Sequence, residues 1–307
     1  MEINEGDIIV CVGGGTFGTR AVRLAKSKGA RVLVLDIDEN CEAVKQRLCS
    51  SLYKDFAHCR LPESGDAALI VGDAAGTLLR ILDALTPSVV VPAVQGHFFG
   101  RFVRAWLERR GIKVRAASER LKDVLCGIPE RLVLLCDEHN AVIVTSYMPA
   151  DKVCKEGCRQ PEICPVTGLR KPAPMFRLLE FALDACGFKS FVLRSELLEN
   201  GGVGGVRGEA IVRMLDALQR LETEIQSSGA VVIAVATSCS CHGILNLFSL
   251  EGGGRERRAA VAEAERIGST NAAALHVAFL VRNIKLPRFF VFLHELLFRQ
   301  AQRLRRS

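Results

Sequence analysis

The sequence of 307 residues has no uninterrupted apolar run near the ~20 residues that a membrane-spanning helix needs. Its best approximation, Phe289 to Phe298, is short and contains His294 and Glu295. No basic-then-apolar leader follows Met1, so no signal peptide is read and a cytoplasmic location is expected. There is no G-x-x-x-x-G-K-[ST] segment, which excludes a P-loop. The C-x2-C pairs typical of zinc knuckles are also missing. What is present is ordinary for a folded chain: 49% hydrophobic and 24% charged residues, enough for one large domain or two ordinary ones.

The net charge of +7 is unevenly placed. Residues 255–307 carry eleven Lys and Arg against four acids, so the first 254 residues are neutral. The basic character therefore belongs to a tail. From Leu286 to Arg306 the tail carries a broad apolar stripe (Phe289, Phe290, Leu293, Leu296, Leu297, Leu304) with Arg around it. Packing on the core or on a partner subunit is the main reading, and a membrane-surface helix the minor one. No recognised nucleic-acid module accompanies the Arg-rich end.

Along the chain, short apolar runs alternate with helical stretches. The runs are Asp7 to Val12, Arg31 to Leu35, Ala67 to Val71, Val89 to Val91 and Lys113 to Ala117. This alternation predicts a parallel sheet covered on both faces. Leu132 to Cys136 and Ala141 to Ser146 flank a polar turn and predict a hairpin. At Met148-Pro149 the pattern breaks. Residues 150–174 are polar, rich in Cys, Pro and basic residues, and show no period. So long an irregular loop is usually functional or held by something non-standard. A second βαβ unit follows: a strand at Ser190 to Leu193, a helix at Glu209 to Gln226 and a strand at Ala230 to Ala236. The expected organisation is α/β: a doubly wound parallel sheet over residues 1–148, a second α/β domain with a cysteine-rich loop over 149–254, and a basic helical tail over 255–307.

Gly13-Gly14-Gly15-Thr16-Phe17-Gly18 follows a strand and opens a helix, and Asp36 stands 18 residues after Gly18, at the end of the second strand. That is the full context of a Rossmann-type dinucleotide fingerprint. The first glycine permits the tight turn, the second lets the backbone approach a pyrophosphate, and the third lets helix and strand pack closely. The helix N-terminus adds free N–H groups and partial positive charge. Asp36 suits the ribose hydroxyls and repels a 2′-phosphate, so NAD is expected over NADP. Residues 7–94 resemble the nucleotide-binding domain of potassium-uptake regulators of the RCK type, through the Gly-rich turn, the acid after strand two and Gly72-Asp73-Ala74 after strand three. In that family the last element lies beside the adenine, which implies a role for Asp73 and Ala74. The stretch Val12 to Val32 also resembles the start of siroheme-synthase dehydrogenase domains. The part from Met148 onward resembles uncharacterised archaeal proteins, a likeness that implies no activity.

Cysteine is abundant, with 12 residues. A reducing compartment argues against disulfides, and Cys11, Cys49 and Cys136 lie in apolar runs and read as small core residues. Cys154-x3-Cys158-x5-Cys164-Pro165 is different, because three thiols within eleven residues of an irregular loop can converge on one metal or cluster. The fourth ligand is sought in Cys239, Cys241 and His242, at the end of a buried strand. A proline directly after a cysteine points to ferredoxin-type iron–sulfur loops, with zinc the alternative. Cys239 and Cys241 also read as a nucleophilic or redox pair, with His242 able to lower a thiol pKa, or as plain small-residue packing.

His97 follows the fourth strand at its carboxyl end, where a general acid or base can face a nicotinamide. Asn200 to Gly208, rich in glycine, reads as an anion loop with Arg207 or as a hinge. Arg170, Lys171 and Arg194 are candidates to hold an acidic substrate. The composite expectation is an NAD(P)-dependent oxidoreductase with an iron–sulfur or metal site, an anionic small-molecule substrate and a homo-oligomeric state. The alternative is a nucleotide-binding redox sensor without turnover. One difficulty attends the first: hydride carries two electrons, an iron–sulfur cluster accepts one, and no flavin is in sight.

Overall fold

The computed structural model describes residues 1–152, 154–155, 157–199, 202–228 and 230–252. The expected basic tail over 255–307 lies outside the described residues, as do Asn200 and Gly201.

The chain opens with β1 (Ile8–Val12), α1 (Thr16–Ser27), β2 (Arg31–Asp36), α2 (Glu42–Lys45), β3 (Ser51–Tyr53), β4 (Ala67–Val71) and α3 (Ala74–Ala84). It continues with β5 (Val89–Pro92), α4 (Phe98–Arg109), β6 (Lys113–Ala116), α5 (Leu121–Cys126), β7 (Val133–Asp137) and β8 (Val142–Ser146). After the irregular loop come α6 (Met175–Ala185), β9 (Lys189–Arg194), β10 (Glu196–Leu197), β11 (Gly204–Arg207), α7 (Gly208–Ser228), β12 (Ala230–Ser238) and β13 (His242–Glu251).

These elements form a mixed α/β fold with two mixed sheets. The first runs β10-β11-β5-β1-β2-β4-β3. From β5 to β3 it is parallel, as expected, because Ile9 to Val12, Val32 to Leu35 and Ala67 to Ile70 are buried apolar runs covered on both faces. It is not parallel throughout. Residues Gly204–Arg207 form β11, antiparallel to β5, and β10 pairs antiparallel with β11. The stretch expected to be an anion loop is thus partly a strand, held between β10 and β5.

The second sheet runs β7-β8-β13-β12-β9, with β6 also on β13. The hairpin β7–β8 forms as expected, and β9 and β12 are parallel, as a βαβ unit through α7 requires. Two expectations are corrected. Lys113–Ala116 does not extend the first sheet but pairs antiparallel with β13. And β13 itself was not foreseen: after the tip at 239–241 the chain turns straight back and pairs with β12 along its whole length. The signal was present, since Leu245, Leu247, Phe248 and Leu250 are apolar and buried. β6 and β8 meet β13 end to end along its other edge. Sheet membership consequently does not change at Met148, because β6, β7 and β8 lie in the second sheet and β10 and β11 in the first.

One core joins the sheets. On α4, Phe98, Phe99, Phe102, Val103, Trp106 and Leu107 are buried, a pattern that leaves only a narrow polar face. They pack against Val10, Leu33 and Val90 of the first sheet and Ile233, Val235 and Phe248 of the second. Each such aromatic contributes ~1.5–3 kcal/mol by burial. The fit is tight at Gly100, where a Cβ would stand 2.3 Å from Asn246 Oδ1 on β13.

Candidate functional site

The glycine-rich turn folds as its spacing demands. Gly13 has φ +97°, and a Cβ there would press on the Ala93 carbonyl at 2.7 Å. A Cβ on Gly18 would lie 1.8 Å from the Gly13 carbonyl oxygen, so only glycine lets α1 sit this close to β1. Gly15, the N-cap of α1, has open space at its Cβ position, so internal packing gives no reason for a glycine there. Close approach by a ligand would give one. Thr16 and Phe17 are exposed beside it. The Asp36 carboxylate accepts from Gly14 N–H at 2.6 Å and from Asp38 N–H at 2.9 Å. It is thus pinned across the turn, with lone pairs left for further donors. Asp73 caps α3 by accepting from Gly76 N–H at 2.7 Å, and Ala74 is the first residue of that helix.

His97 is placed differently from the expectation. It is 6% exposed and N-caps α4. Asn246 Nδ2 donates to the Asn140 carbonyl, which leaves Oδ1 as an acceptor. His97 Nδ1–H therefore donates to Asn246 Oδ1 at 2.8 Å, and Nε2 accepts from the Thr237 hydroxyl at 2.9 Å. Burial lowers its pKa to about 4, against the Asn246 hydrogen bond and with the help of Arg101. Both nitrogens are committed to the second sheet, so His97 ties the two sheets together and has no nitrogen free for a substrate.

The cysteine loop and the C-x-C-H segment do come together. The segment is the tip of the β12–β13 hairpin. Ser238 Oγ donates to the His242 carbonyl at 2.8 Å, and Cys239 N–H does so at 2.9 Å. Cys239 Sγ accepts the N–H groups of Cys241 and His242, both at 3.4 Å. The loop lies across this tip. Gln160 Oε1 accepts from Ser240 N–H at 3.0 Å, and Met175 N–H donates to the Ser240 carbonyl at 3.1 Å.

Between loop and tip is a cleft of about 340 Å³, its solvent mouth included, lined by Cys154, Cys158, Cys164, Cys241, His242 and Lys171 among others. Cys239 does not line it. The His242 ring stands between sulfurs, with Nε2 3.6 Å from Cys154 Sγ and Nδ1 3.7 Å from Cys239 Sγ. Among the described residues, no three His, Cys, Asp or Glu side chains stand close enough to grip a single metal ion. Cys158 Sγ accepts Gln160 N–H at 3.4 Å. Desolvation, followed by the charges of Cys241, Cys158, Cys164 and Cys239, pushes the Cys154 thiol up to about 11. Cys164 goes the other way. Slight burial works against its thiolate, but bonds from the Thr167 hydroxyl and the Thr167 and Val166 N–H groups outweigh it. Burial raises the Cys241 thiol, with Lys171 opposing. Burial lowers the His242 pKa, and Lys171 adds to the effect.

Lys171 is the residue whose role sequence reasoning missed. It is only 5% exposed, and its ammonium donates to Cys241 Sγ at 3.1 Å and to the Gln160 carbonyl at 3.0 Å. The other two basic candidates are engaged elsewhere: Arg170 pairs with Glu162 at 2.6 Å, and Arg194 lies over the Phe176 ring. Arg207 pairs with Glu196 at 3.2 Å. It lies on β11, so the loop expected to carry it is in part a strand.

Comparison with known proteins adds a likeness to uncharacterised proteins but no chemistry. A family model described as the C-terminal domain of an uncharacterised protein matches residues 102–251, a span holding every strand of the second sheet. An uncharacterised protein of Archaeoglobus fulgidus is 28% identical over 236 residues, covering 77% of this chain and 96% of that one. Among solved structures, the ADP complex of N5-carboxyaminoimidazole ribonucleotide synthetase is 14% identical with a TM-score of 0.25. That alignment covers 80% of this chain and 47% of the synthetase, and so low a score shows neither shared fold nor shared ligand. The likeness to archaeal proteins expected from the second half is what these matches bear out. Among the described residues no helix is long and apolar enough to cross a membrane.

Proposed function

We propose that this protein binds NAD on a Rossmann-type turn and holds an iron–sulfur cluster in the cysteine cleft, as an oxidoreductase-like protein. The carrying observation is that four cysteines from two distant segments line one cleft with a buried lysine. Cysteine supplies the thiol donors for either group, and the proline directly after Cys164 favours iron–sulfur over zinc. Cys154, Cys158, Cys164 and one or both of Cys239 and Cys241 would hold it. Hydrogen bonds from the Thr167 hydroxyl and from backbone N–H groups favour a thiolate at Cys164.

For the dinucleotide, Gly13, Gly15, Thr16, Phe17 and Gly18 would meet the pyrophosphate, Asp36 the ribose, and Asp73 and Ala74 the adenine side. The open Cβ position of Gly15 and the pinned Asp36 carboxylate suit that reading. The cluster would supply one-electron chemistry and the dinucleotide hydride transfer. The chain's own residues bind and orient: Asp36 selects against a 2′-phosphate, and Lys171 offsets negative charge in the cleft. An anionic small molecule is the proposed substrate class, and self-association and a cytoplasmic location are proposed with it.

A second reading, a nucleotide-binding redox sensor without turnover, is favoured by His97. Its two committed nitrogens leave the crevice without the expected acid or base. Anaerobic purification followed by iron, sulfide and zinc analysis tests the cluster. Broad absorbance near 400 nm that bleaches on reduction is expected, and a colourless protein with stoichiometric zinc would refute it. NADH oxidation with dye acceptors separates the readings, because a sensor binds NADH without oxidising it above blank.

A further inference from the structure

Four sulfurs and one imidazole line the cleft, and a fifth sulfur, that of Cys239, stands 3.7 Å from the imidazole; a cluster needs four ligands, so two of these six groups do something else. This inference rests on the iron–sulfur reading above. Cys239 differs from the other four. It does not line the cleft, and its sulfur is occupied by the hairpin tip, where it accepts N–H groups of Cys241 and His242 and stands 3.7 Å from His242 Nδ1. Its evident work is to shape the tip and fix the His242 ring. Cys241, two residues on, lines the cleft and meets an ammonium at 3.1 Å.

That ammonium is itself a clue. A lysine this buried carries a large desolvation cost unless an anion compensates it. Among the described residues no carboxylate pairs with Lys171, and its polar partners are a neutral carbonyl and a sulfur. Four cysteine thiolates around a cluster carry net negative charge. They are the anion that a buried Lys171 requires.

We propose that the cluster is held by Cys154, Cys158, Cys164 and Cys241, that Cys239 is not a ligand but positions His242, and that Lys171 sets the cluster's reduction potential from beside Cys241. A fixed positive charge at this distance favours the more negative, reduced state. Lys171 is thus a positioning and charge-setting residue, not a catalytic one.

The test uses the full chain purified anaerobically, with circular dichroism to verify folding. Cys239→Ser keeps an acceptor at the tip and is expected to retain the wild-type iron content and visible spectrum. Cys241→Ser is expected to lose most of its iron. Lys171→Met should keep its iron, but in a dithionite titration its midpoint should move to lower potential, and Lys171→Arg should restore the wild-type value. Iron lost from folded Cys239→Ser, iron kept by Cys241→Ser, or an unmoved midpoint in Lys171→Met would each overturn the assignment. Should Cys239→Ser misfold, the Cys241→Ser and Lys171→Met arms still decide. A wild-type protein without iron would refute the cluster reading itself. Iron in the wild type with the wrong pattern among the variants would refute only this ligand assignment.

Discussion

At the glycine-rich turn the hydrogen bonds are met close by in sequence, although the Ala93 carbonyl that crowds Gly13 comes from farther off. Gly13 N–H bonds to the Leu35 carbonyl, and the Gly14–Asp36 bond spans 22 residues. In the cleft the bonds that matter span 70, 80 and 88 residues, joining Lys171 to Cys241, Ser240 to Gln160 and Cys154 to His242. The first region is a local solution, set by what a strand, a turn and a helix need in order to pack. The second exists only after β8, the loop, β12 and β13 have been assembled, and its loop gains little from local bonding. The two also hang on different sheets. Their chemistry should therefore be separable by mutation.

The largest separation is expected for Cys158→Ala or Cys164→Ala. Each should abolish iron binding while leaving NADH affinity within about twofold, because sites without shared partners behave additively. Iron analysis and fluorescence titration of NADH would check this, and a parallel loss of NADH binding would show that the regions are coupled. Next comes Gly18→Ala. Its new methyl meets the Gly13 carbonyl, so α1 must shift, at a cost of about 3 kcal/mol by overpacking. Urea unfolding should show that loss, and the variant should still carry iron. Asp36→Ala should weaken NADH binding tenfold or more, since a charge-assisted hydrogen bond contributes roughly 1.5–3 kcal/mol.

The same contrast explains what could be read from the sequence. The glycines, Asp36 and the parallel strands β1, β2, β4 and β5 were legible because each is dictated by neighbours in the chain. The convergence of Cys154 to Cys164 with Cys239 to His242 was suggested by cysteine content and by the strand end before Cys239. Its geometry was not, since nothing in the spacing reveals that residues 239–241 form a hairpin tip. Lys171 was read with Arg170 and Arg194 as a holder of an acidic substrate, and its contact with Cys241 was missed because burial of a lysine leaves no local signature. Arg207 and the glycines before it looked like a loop because β11 is a short strand whose pairing with β5 and β10 is not written in its own glycine-rich sequence. His97 was found by position at a strand end, but its partners Thr237 and Asn246 lie 140 and 149 residues away.

That histidine gives the next prediction, which concerns the joint between the two regions. In the folded chain burial keeps the ring neutral, with a pKa of about 4 against an ordinary 6.5. The unfolded chain therefore takes up the proton first. Its contribution is complete above pH 6.5 and is lost as the pH falls from 6.5 toward 4, with a slope approaching ~1.4 kcal/mol per unit and a total of roughly 3 kcal/mol. Urea midpoints of the wild type and of His97→Gln at pH 7.5, 5.5 and 4.5 would isolate this term from the carboxylates. A wild type whose excess stability over the variant did not shrink with acidification would contradict the buried neutral ring.

The smallest effect is expected at the far edge of the first sheet. Arg207 was a candidate anion ligand, yet its guanidinium faces Glu196 across the β10–β11 pairing, and its side chain is 53% exposed. The Glu196 carboxylate is held below its ordinary pKa, first by the hydrogen bond from Arg207. Solvent screens a pair this open, so Arg207→Ala should cost well under about 1 kcal/mol. It should leave both NADH binding and iron content unchanged. If the variant instead lost affinity for NADH or for an anionic substrate analogue, β11 would have to be counted as part of the ligand-binding region, and the division between a local glycine-rich turn and a distant cysteine cleft would need a third member.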